Sequence, residues 1–390
     1  MPTRRDFLST TALAVGIPRL PRLAAAKYDL LVQGGRVVDP SQRIDRVADV
    51  AIRGGRIAEL KPAVAASDAA EVIDARGTIV TPGLIDIHIH ATERIPAFCL
   101  SNGVTAAVDA GSKGADNIDE VLTVAKGAPN RVRVLVNVSR RGNGSPDELL
   151  NIANADVPAA RRAIEQHRDL IVGMKARLSR TVAGPNDVEA VRRAVEVSGP
   201  FKLPIMLHVG DTVSPLTSIL ALLRPGDIVT HVYAPVNGIL DANGRVLPQV
   251  REARRRGVLF DFGNGRIEHF NWDVVEKSLQ QDFLPDTISS DMTEAGRTDG
   301  VFDFPSVLSK FLMLGMPLDQ VIARATVNSA RSIAAFKDLG TLKTGAPADV
   351  AVLAMKEGDF EFVDNYKATR HGRRRLVAQA VVKDGKRVGV

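Results

Sequence analysis

Two histidines stand close together in the run Leu84-Ile85-Asp86-Ile87-His88-Ile89-His90. The run alternates apolar and polar side chains, as a β-strand does, and this alternation directs His88 and His90 to the same side. Two imidazoles placed in this way can bind one metal ion. Histidines in a strand can also be hydrogen-bonded interior residues, so a metal site here depends on further donors.

Four further polar residues end apolar, β-rich runs: Lys175, His208, His231 and Asp291. If these runs are parallel strands of a barrel, their C-terminal ends meet at one rim, where barrel active sites are built. A lysine there is costly to bury with its charge, so it reaches solvent, pairs with an acid or is chemically modified. Carbamylation by carbon dioxide would convert it into a carboxylate-like ligand able to bridge two cations.

The elements that would bring these residues together are eight apolar, β-rich runs, separated by polar or helical connections. Their spacing is too long for hairpins and suits strand–helix units. Near-continuous apolar strands are typical of sheets buried on both faces, which predicts an α/β fold with a (β/α)8 TIM barrel over residues 81–339. An open doubly wound sheet is the weaker alternative, because no Gly-x-Gly-x-x-Gly loop follows the first strand. The eight runs are 84–90, 104–109, 132–138, 170–175, 204–208, 227–231, 258–262 and 287–291.

The two ends of the chain have a sequence pattern that differs from that of the predicted barrel. Residues 27–80 contain short alternating strands broken by Gly-Gly turns, and a similar pattern returns over residues 340–390. Such patterns are typical of antiparallel β structure. We therefore expect the two ends to form one small β-sandwich domain beside the barrel.

Composition narrows the class of protein. Of the 390 residues, 45% are hydrophobic and 25% are charged, which is ordinary globular usage and excludes disorder, collagen and coiled coil. The single cysteine, Cys99, excludes an intrachain disulfide framework and a cysteine-rich metal site. The basic run over residues 370–375 has no interleaved aromatic residues on which bases could stack, so we expect no nucleic-acid role.

Residues 1–26 resemble a twin-arginine export signal. Arg4-Arg5 precedes a short apolar stretch, Thr10–Ile17, and Ala24-Ala25-Ala26 offers a small-residue cleavage site. This pattern predicts a periplasmic or otherwise exported protein, with the twin-arginine export machinery as a partner and no membrane span in the mature form. Removing these residues, which hold four arginines and one aspartate, lowers the formal net charge from +6 to +3.

Seven motifs together resemble the amidohydrolase superfamily, specifically its dihydroorotase-like and deacetylase-like members, over nearly the whole mature chain. The motifs are Pro82-Gly83-Leu84-Ile85-Asp86-Ile87-His88-Ile89-His90, Gly103-Val104-Thr105, Val108-Asp109-Ala110-Gly111-Ser112, Gly173-Met174-Lys175-Ala176-Arg177, Leu207-His208-Val209-Gly210, Thr230-His231 and Ser290-Asp291.

The resemblance implies a binuclear site with two divalent metal ions, zinc being the expected metal. Its ligands would be His88, His90, carbamylated Lys175 and Asp291 for one ion, and Lys175, His208 and His231 for the other. A hydroxide bridging the ions would attack the substrate carbonyl, because two cations lower the pKa of bound water from about 16 toward 7. Asp291 would take the proton from the attacking water and deliver it to the leaving amine or alkoxide.

Two further residues are candidate substrate contacts. Arg177 follows Lys175 by two positions, so in a continuing strand it points the same way and can bind a substrate carboxylate, with a rim salt bridge as the alternative. A Lys-x-Arg at this strand is similar to the deacetylase-like subgroup. Related sequences often have Gly-His-Gly after the seventh strand, where this chain has Gly263-Asn264-Gly265. Asn264 could bond an acyl oxygen or leaving group, or only form a turn. His269 could replace the missing imidazole, or be a structural residue.

The expected function is hydrolysis of the amide or ester bond of a small-molecule N-acyl amino acid or O-acyl hydroxy acid. The alternative is a cyclic amidohydrolase of the dihydroorotase or hydantoinase kind, which opens a ring amide with the same metals. A non-catalytic periplasmic metal-binding or solute-binding protein is disfavoured, because both Lys175 and Asp291 are present. The sequence leaves the acyl group, the metal in the cell and the oligomeric state open, a homo-oligomer included.

Overall fold

The computed structural model describes residues 26–389. Apart from Ala26, the export signal predicted over residues 1–26 lies outside the described residues. The strands within them are β1 Tyr28–Asp39, β2 Ile44–Arg53, β3 Arg56–Lys61, β4 Ala69–Asp74, β5 Ile79–Pro82, β6 Leu84–Ile89, β7 Val104–Gly114, β8 Arg131–Asn137, β9 Ile171–Arg177, β10 Ile205–His208, β11 Ile228–Thr230, β12 Leu259–Phe260, β13 Val350–Val363, β14 Thr369–Lys383 and β15 Lys386–Val388.

The α-helices within the same range are α1 Ile95–Ser101, α2 Ile118–Gly127, α3 Val157–Gln166, α4 Asp187–Ser198, α5 Leu216–Leu220, α6 Pro248–Arg255, α7 Trp272–Leu279, α8 Phe304–Met313, α9 Leu318–Arg324 and α10 Val327–Ser332. In residues 26–389, no helix combines the length and the apolar character needed to cross a bilayer.

Seven parallel strands of the described chain form the barrel sheet, in the order β12-β11-β10-β9-β8-β7-β6. The segment that follows α7 joins both edges of this sheet through isolated parallel bridges, Asp261 with Thr287 and Ile89 with Met292. The predicted eighth run is therefore an extended segment that closes the ring without forming a regular strand. The predicted fold class, an α/β fold built on a (β/α)8 barrel, is confirmed.

Burial on both faces explains the apolar composition of the barrel strands. All six residues of β6 and the first eight of β7 are buried. One buried cluster joins Ile85 and Val108 to Phe336, which follows α10, and a second joins Val104 to Leu122 of α2. Interiors packed in this way deform little. The strand ends therefore stand in a rigid frame around the rim.

The two chain ends meet in one separate β structure, as predicted, and the structure shows it as a single eight-stranded sheet where the sequence suggested a β-sandwich. Within the described residues its order is β15-β14-β13-β5-β1-β2-β3, and β4 pairs with β1. The link between the ends is β5, which pairs in parallel with β1 and antiparallel with β13. Leu30, Val50, Val350 and Val382 meet in the buried cluster of this sheet.

The hairpin of β13 and β14 extends beyond the rest of this sheet. Only Val350–Leu353 of β13 pair with β5. The rest of the hairpin runs along α8, where the amide of Leu376 in β14 donates to Oγ of Ser309 over 2.8 Å. The tip of the hairpin, residues 364–368, reaches the loop between β12 and α7. A segment near the end of the chain therefore lies at the mouth of the barrel.

Candidate active site

Three of the predicted metal ligands meet where the barrel closes. His88 lies in β6, His90 directly follows that strand, and Asp291 belongs to the closing segment. Oδ1 of Asp291 lies 3.3 Å from Nε2 of His88 and 3.2 Å from Nε2 of His90. Strand alternation therefore brings both imidazoles to one carboxylate.

The other three predicted ligands complete this group. Nζ of Lys175, in β9, lies 3.0 Å from Nε2 of His88. The ring centroids of His88 and His231 are 5.1 Å apart, and those of His231 and His208 are 4.3 Å apart. All six side chains thus lie together at the C-terminal rim, and we call them the ligand cluster.

Two members of the ligand cluster have a backbone conformation that non-glycine residues rarely adopt. The φ angle is 61° at His231 and 52° at Asp291, in the left-handed region. Such strain persists only where the surroundings fix it, and it is concentrated at functional sites. At Asp291 the surroundings include the carbonyl of His88, which accepts from the Asp291 amide over 2.7 Å.

A chain of hydrogen bonds determines which nitrogen of His88 faces the cluster. Oγ1 of Thr230 donates to Oδ2 of Asp261 over 2.7 Å, so the threonine oxygen accepts from Nδ1 of His88 at 3.0 Å. Hydroxyls of Thr287 and Ser289 also donate to Asp261, over 2.7 and 2.6 Å. Sequence reasoning missed Asp261, whose only signal is an acid inside an apolar run.

Two other imidazoles are oriented in the same way. Oγ of Ser112 donates to Oδ2 of Asp109 over 2.6 Å and accepts from Nδ1 of His90 at 2.8 Å. Nδ1 of His231 donates to the carbonyl of Gly263 over 2.7 Å. With the proton held on Nδ1, each ring presents the Nε2 lone pair to the cluster, which is the form that binds a metal.

Burial sets the protonation of the cluster. It lowers the pKa of Lys175 to about 7, although Asp291 acts to raise it. It also holds the pKa values of three imidazoles well below their usual range, those of His88, His208 and His231. The pKa of Asp291 lies well below its usual value although burial acts to raise it, because the neighbouring histidines, His88 foremost, favour the carboxylate.

These donors fit divalent cations. The ligand atoms of His88, His90 and Asp291 lie within 4.8 Å of one another. Nε2 of His231 is buried and has no hydrogen-bond partner within residues 26–389, which is costly unless a ligand binds it. Neutral imidazoles beside an ionised carboxylate suit zinc, and also manganese, cobalt or iron.

The ligand cluster opens into a cavity of about 630 Å³, a size typical of small-molecule sites. His90, Lys175, Asp291 and Arg177 are among the residues that line it. Nη1 of Arg177 donates to Oε2 of Glu148 over 2.8 Å, and Glu148 is only 4% exposed. Arg177 therefore faces the cavity and also forms the salt bridge, and its binding of a substrate carboxylate stays a prediction.

The structure does not bring Asn264 to the cavity. Its side chain is fully buried; Nδ2 donates to the carbonyls of Gly265 and Gly300 over 2.7 and 3.2 Å. Its Oδ1 accepts from Nζ of Lys310 at 2.6 Å. The expectation that Asn264 contacts substrate is corrected, because these bonds inside the protein occupy both ends of the amide.

His269 lies against the ligand cluster. Its ring stacks on that of His231, with centroids 3.9 Å apart, and Nδ1 lies 3.1 Å from Oδ2 of Asp291. It also lines the cavity. His269 lies in the loop between β12 and α7, where no strand or helix period indicates the direction of a side chain. Sequence reasoning therefore left its role open.

Comparisons with known proteins agree with this architecture. Residues 79–388 match the amidohydrolase family. A deacetylase of Enterococcus faecalis is 31% identical over 354 residues, which are 88% of this chain and 94% of the relative. The crystal structure of an adenine deaminase gives a TM-score of 0.84 at 30% identity, covering 93% of this chain and 99% of that protein. The crystal structure of a dihydroorotase gives 0.83 at 25% identity, covering 93% and 98%.

The family match contains the whole ligand cluster, the barrel strands from β6 to β12 and four of the eight strands of the second sheet. It also contains the hairpin of β13 and β14, which reaches the barrel mouth. This chain belongs to the amidohydrolase family.

Proposed function

We propose that the protein is a metal-dependent hydrolase of the deacetylase type, which cleaves the amide or ester bond of an N-acyl amino acid or an O-acyl hydroxy acid. The observation that carries this proposal is that a cluster of metal-binding side chains and a guanidinium group, that of Arg177, line one cavity. The similarity to a deacetylase over most of the chain supports the same reaction.

We propose two divalent cations, zinc being the expected metal. The ligands at one would be His88, His90 and Asp291, and those at the other His208 and His231, whose ligand atoms lie within 4.8 Å of one another and of a ring nitrogen of His269. Lys175 would be shared between them as a carbamate, because burial brings the pKa of Lys175 to about 7 and a neutral amine adds carbon dioxide with release of one proton. When bound, the cations supply an acidified water and a Lewis acid for the acyl carbonyl.

Asp291 is suited to carry the proton in this reaction. Its carboxylate is ionised at neutral pH, since its pKa lies well below the usual value despite burial. Oδ1 faces His88 and His90, whereas Oδ2 faces His269. A carboxylate in this state accepts a proton from the attacking water and returns it to the leaving amine or alkoxide.

Arg177 is suited to anchor a substrate carboxylate. Among the hydrogen bonds of the described residues only its Nη1 is used, by Asn143 and Glu148, which leaves Nε and Nη2 for a ligand. Because Glu148 already orders the guanidinium, less side-chain entropy is lost when the planar fork binds a carboxylate. An acid held there keeps its acyl group inside the same cavity as the ligand cluster.

A cyclic amidohydrolase is the second candidate, and the structural similarity to a dihydroorotase favours it. Ring opening would use the same cations and the same proton carrier. The deacetylase reaction has the stronger support, because that relative is more similar in sequence over a comparable share of the chain.

The test is acid release by the zinc-loaded mature protein. The substrates are both enantiomers of N-acetyl amino acids, O-acetyl hydroxy acids and a few cyclic ureides. We expect hydrolysis of one linear class, with one enantiomer preferred. Ring opening alone would establish the second candidate instead. Two bound metals with no turnover across the panel would overturn both substrate assignments. Carbon-13 NMR after exposure to labelled carbon dioxide tests the carbamate, with Lys175→Met as the control.

We also propose that the protein is exported by the twin-arginine machinery. The support is the arginine pair, the short apolar stretch and the alanine triplet within residues 1–26. Replacing Arg4→Lys together with Arg5→Lys should leave the protein in the cytoplasm on cell fractionation. Unchanged appearance in the periplasm would overturn the proposal.

A further inference from the structure

The loop that carries His269 is held from a distant part of the chain. Oδ1 of Asn365, at the tip of the β13–β14 hairpin, accepts from the amides of His269 and Phe270 over 2.9 and 3.0 Å. Nδ2 of Asn365 donates to the carbonyl of Gly265 over 3.2 Å. One side chain therefore bonds both sides of the turn between Gly265 and His269.

Neighbouring residues of the hairpin reinforce this attachment. Oδ2 of Asp364 accepts from the amide of Trp272 over 3.0 Å, at the start of α7. Nζ of Lys310, which is buried, donates to the carbonyl of Val363 over 3.2 Å and to Oδ1 of Asn264 over 2.6 Å. The hairpin thus contacts the loop at its start, its middle and its end.

The loop is folded so that His269 lies directly against a glycine. A Cβ atom at Gly265 would stand 1.7 Å from Nδ1 of His269, so only glycine admits the ring there. The φ angles of Gly265 and Glu268 are 56° and 62°, both left-handed. A non-glycine residue such as Glu268 holds this conformation only where other contacts impose it.

The position of His269 bears directly on Asp291. Nδ1 of His269 lies 3.1 Å from Oδ2, whereas Oδ1 faces the Nε2 atoms of His88 and His90. The two carboxylate oxygens therefore have different neighbours, and His269 stands beside the oxygen that does not face His88 and His90.

We propose that Asn365 is a positioning residue for the hydrolysis, acting through His269 on the carboxylate of Asp291. The effect of Asn365 on the rate of hydrolysis rests on the function proposed above. When Asn365 is lost, the loop relaxes, His269 leaves Oδ2, and Asp291 samples orientations that do not carry the proton. Misplacement of a reacting group by about 1 Å can cost on the order of 100-fold in rate.

The test is a double-mutant cycle in kcat. We expect Asn365→Ala and His269→Ala each to lower kcat by roughly 10-fold to 100-fold with little change in KM. The double variant should be no slower than His269→Ala alone, because the two residues act in series. Asn365→Asp keeps the acceptor for both amides and should recover most of kcat. Lys367→Asn is the matched control, since Lys367 lies on the same tip with its side chain 74% exposed.

Additive losses in the cycle, or equal losses in Asn365→Ala and Lys367→Asn, would overturn the proposal. A second readout is independent of turnover. In protein labelled with nitrogen-15 at its seven histidines, the Nδ1 signal of His269, assigned with His269→Ala, should shift in Asn365→Ala and return in Asn365→Asp. If the wild-type protein hydrolyses no acyl acid, the proposed function fails and the kinetic test does not apply. The Nδ1 signal of His269 then decides the role of Asn365, because a signal unchanged in Asn365→Ala would overturn the positioning role.

Discussion

Thr230 donates a 2.7 Å hydrogen bond to Asp261, and this bond leaves the threonine oxygen as the acceptor for Nδ1 of His88. His88 can present a lone pair to a metal from Nε2 only while its proton stays on Nδ1. The buried carboxylate of Asp261 thus governs, through Thr230, how His88 is used.

Replacing Thr230→Val keeps the shape of the side chain and removes the acceptor. We expect metal affinity to fall about 10-fold to 100-fold, the usual effect of losing a hydrogen bond behind a ligating histidine. Competition with a chromogenic chelator measures it. Thr287→Val is the matched control, because Thr287 also donates to Asp261 over 2.7 Å but is not bonded to His88. Equal losses in both variants would point to general loosening around Asp261.

Asp291→Asn tests the proton carrier. The amide keeps the size and one oxygen of the carboxylate, so we expect the metal content to stay near that of the wild type. Turnover should fall by about 10²-fold to 10⁴-fold, because an amide cannot accept the proton of the attacking water. Metal analysis and steady-state kinetics on the same sample measure both. Full activity in this variant would remove the role assigned to Asp291.

Arg177→Met tests the carboxylate anchor. We expect a loss of roughly tenfold or more in kcat/KM, about 1.4 kcal/mol, for substrates with a carboxylate and little change for their amides or methyl esters. Arg180→Met is the control, since Arg180 forms an exposed pair with Asp211 over 3.5 Å and is not among the residues that line the cavity. Because Glu148 is buried and loses its partner, thermal unfolding is recorded for each variant. An equal loss of kcat/KM for carboxylate substrates and for their amides or methyl esters would exclude Arg177 as the carboxylate anchor.

Lys310 makes stability depend on pH. Burial lowers the pKa of Lys310 from 10.5 to about 7. Between these pH values the unfolded chain binds a proton that the folded chain does not, so the free energy of unfolding rises with pH. In Lys310→Met this rise should shrink, by on the order of a few kcal/mol across the window. Urea denaturation from pH 7 to 10 measures the slope. Equal slopes would mean that Lys310 stays charged when folded.

The ligand cluster could be predicted because its positions follow from local rules. Alternation within one strand sets His88 and His90 on one side. Lys175, His208 and His231 each end an apolar run, and parallel strand ends meet at one rim. The same rule located Asp291, although its run forms bridges instead of a regular strand.

The remaining site residues could not be predicted, because long-range contacts determine their directions. His269 lies in a loop whose fold depends on Asn365, 96 residues later in the chain. Asn264 turns away from the cavity because buried Lys310, 46 residues later, takes its oxygen. Asp261 acts through Thr230 on a neighbouring strand. Periodicity carries no information about any of these partners.

The hairpin of β13 and β14 has a consequence for the order in which the chain is synthesised. Every residue of the ligand cluster, and His269, is translated before the hairpin that holds the His269 loop. A nascent chain that has formed the barrel strands therefore lacks the support for that loop. The contacts that hold the His269 loop form only after β13 and β14 have been synthesised and β13 has paired with β5, so the site at the barrel mouth is completed later than the barrel strands.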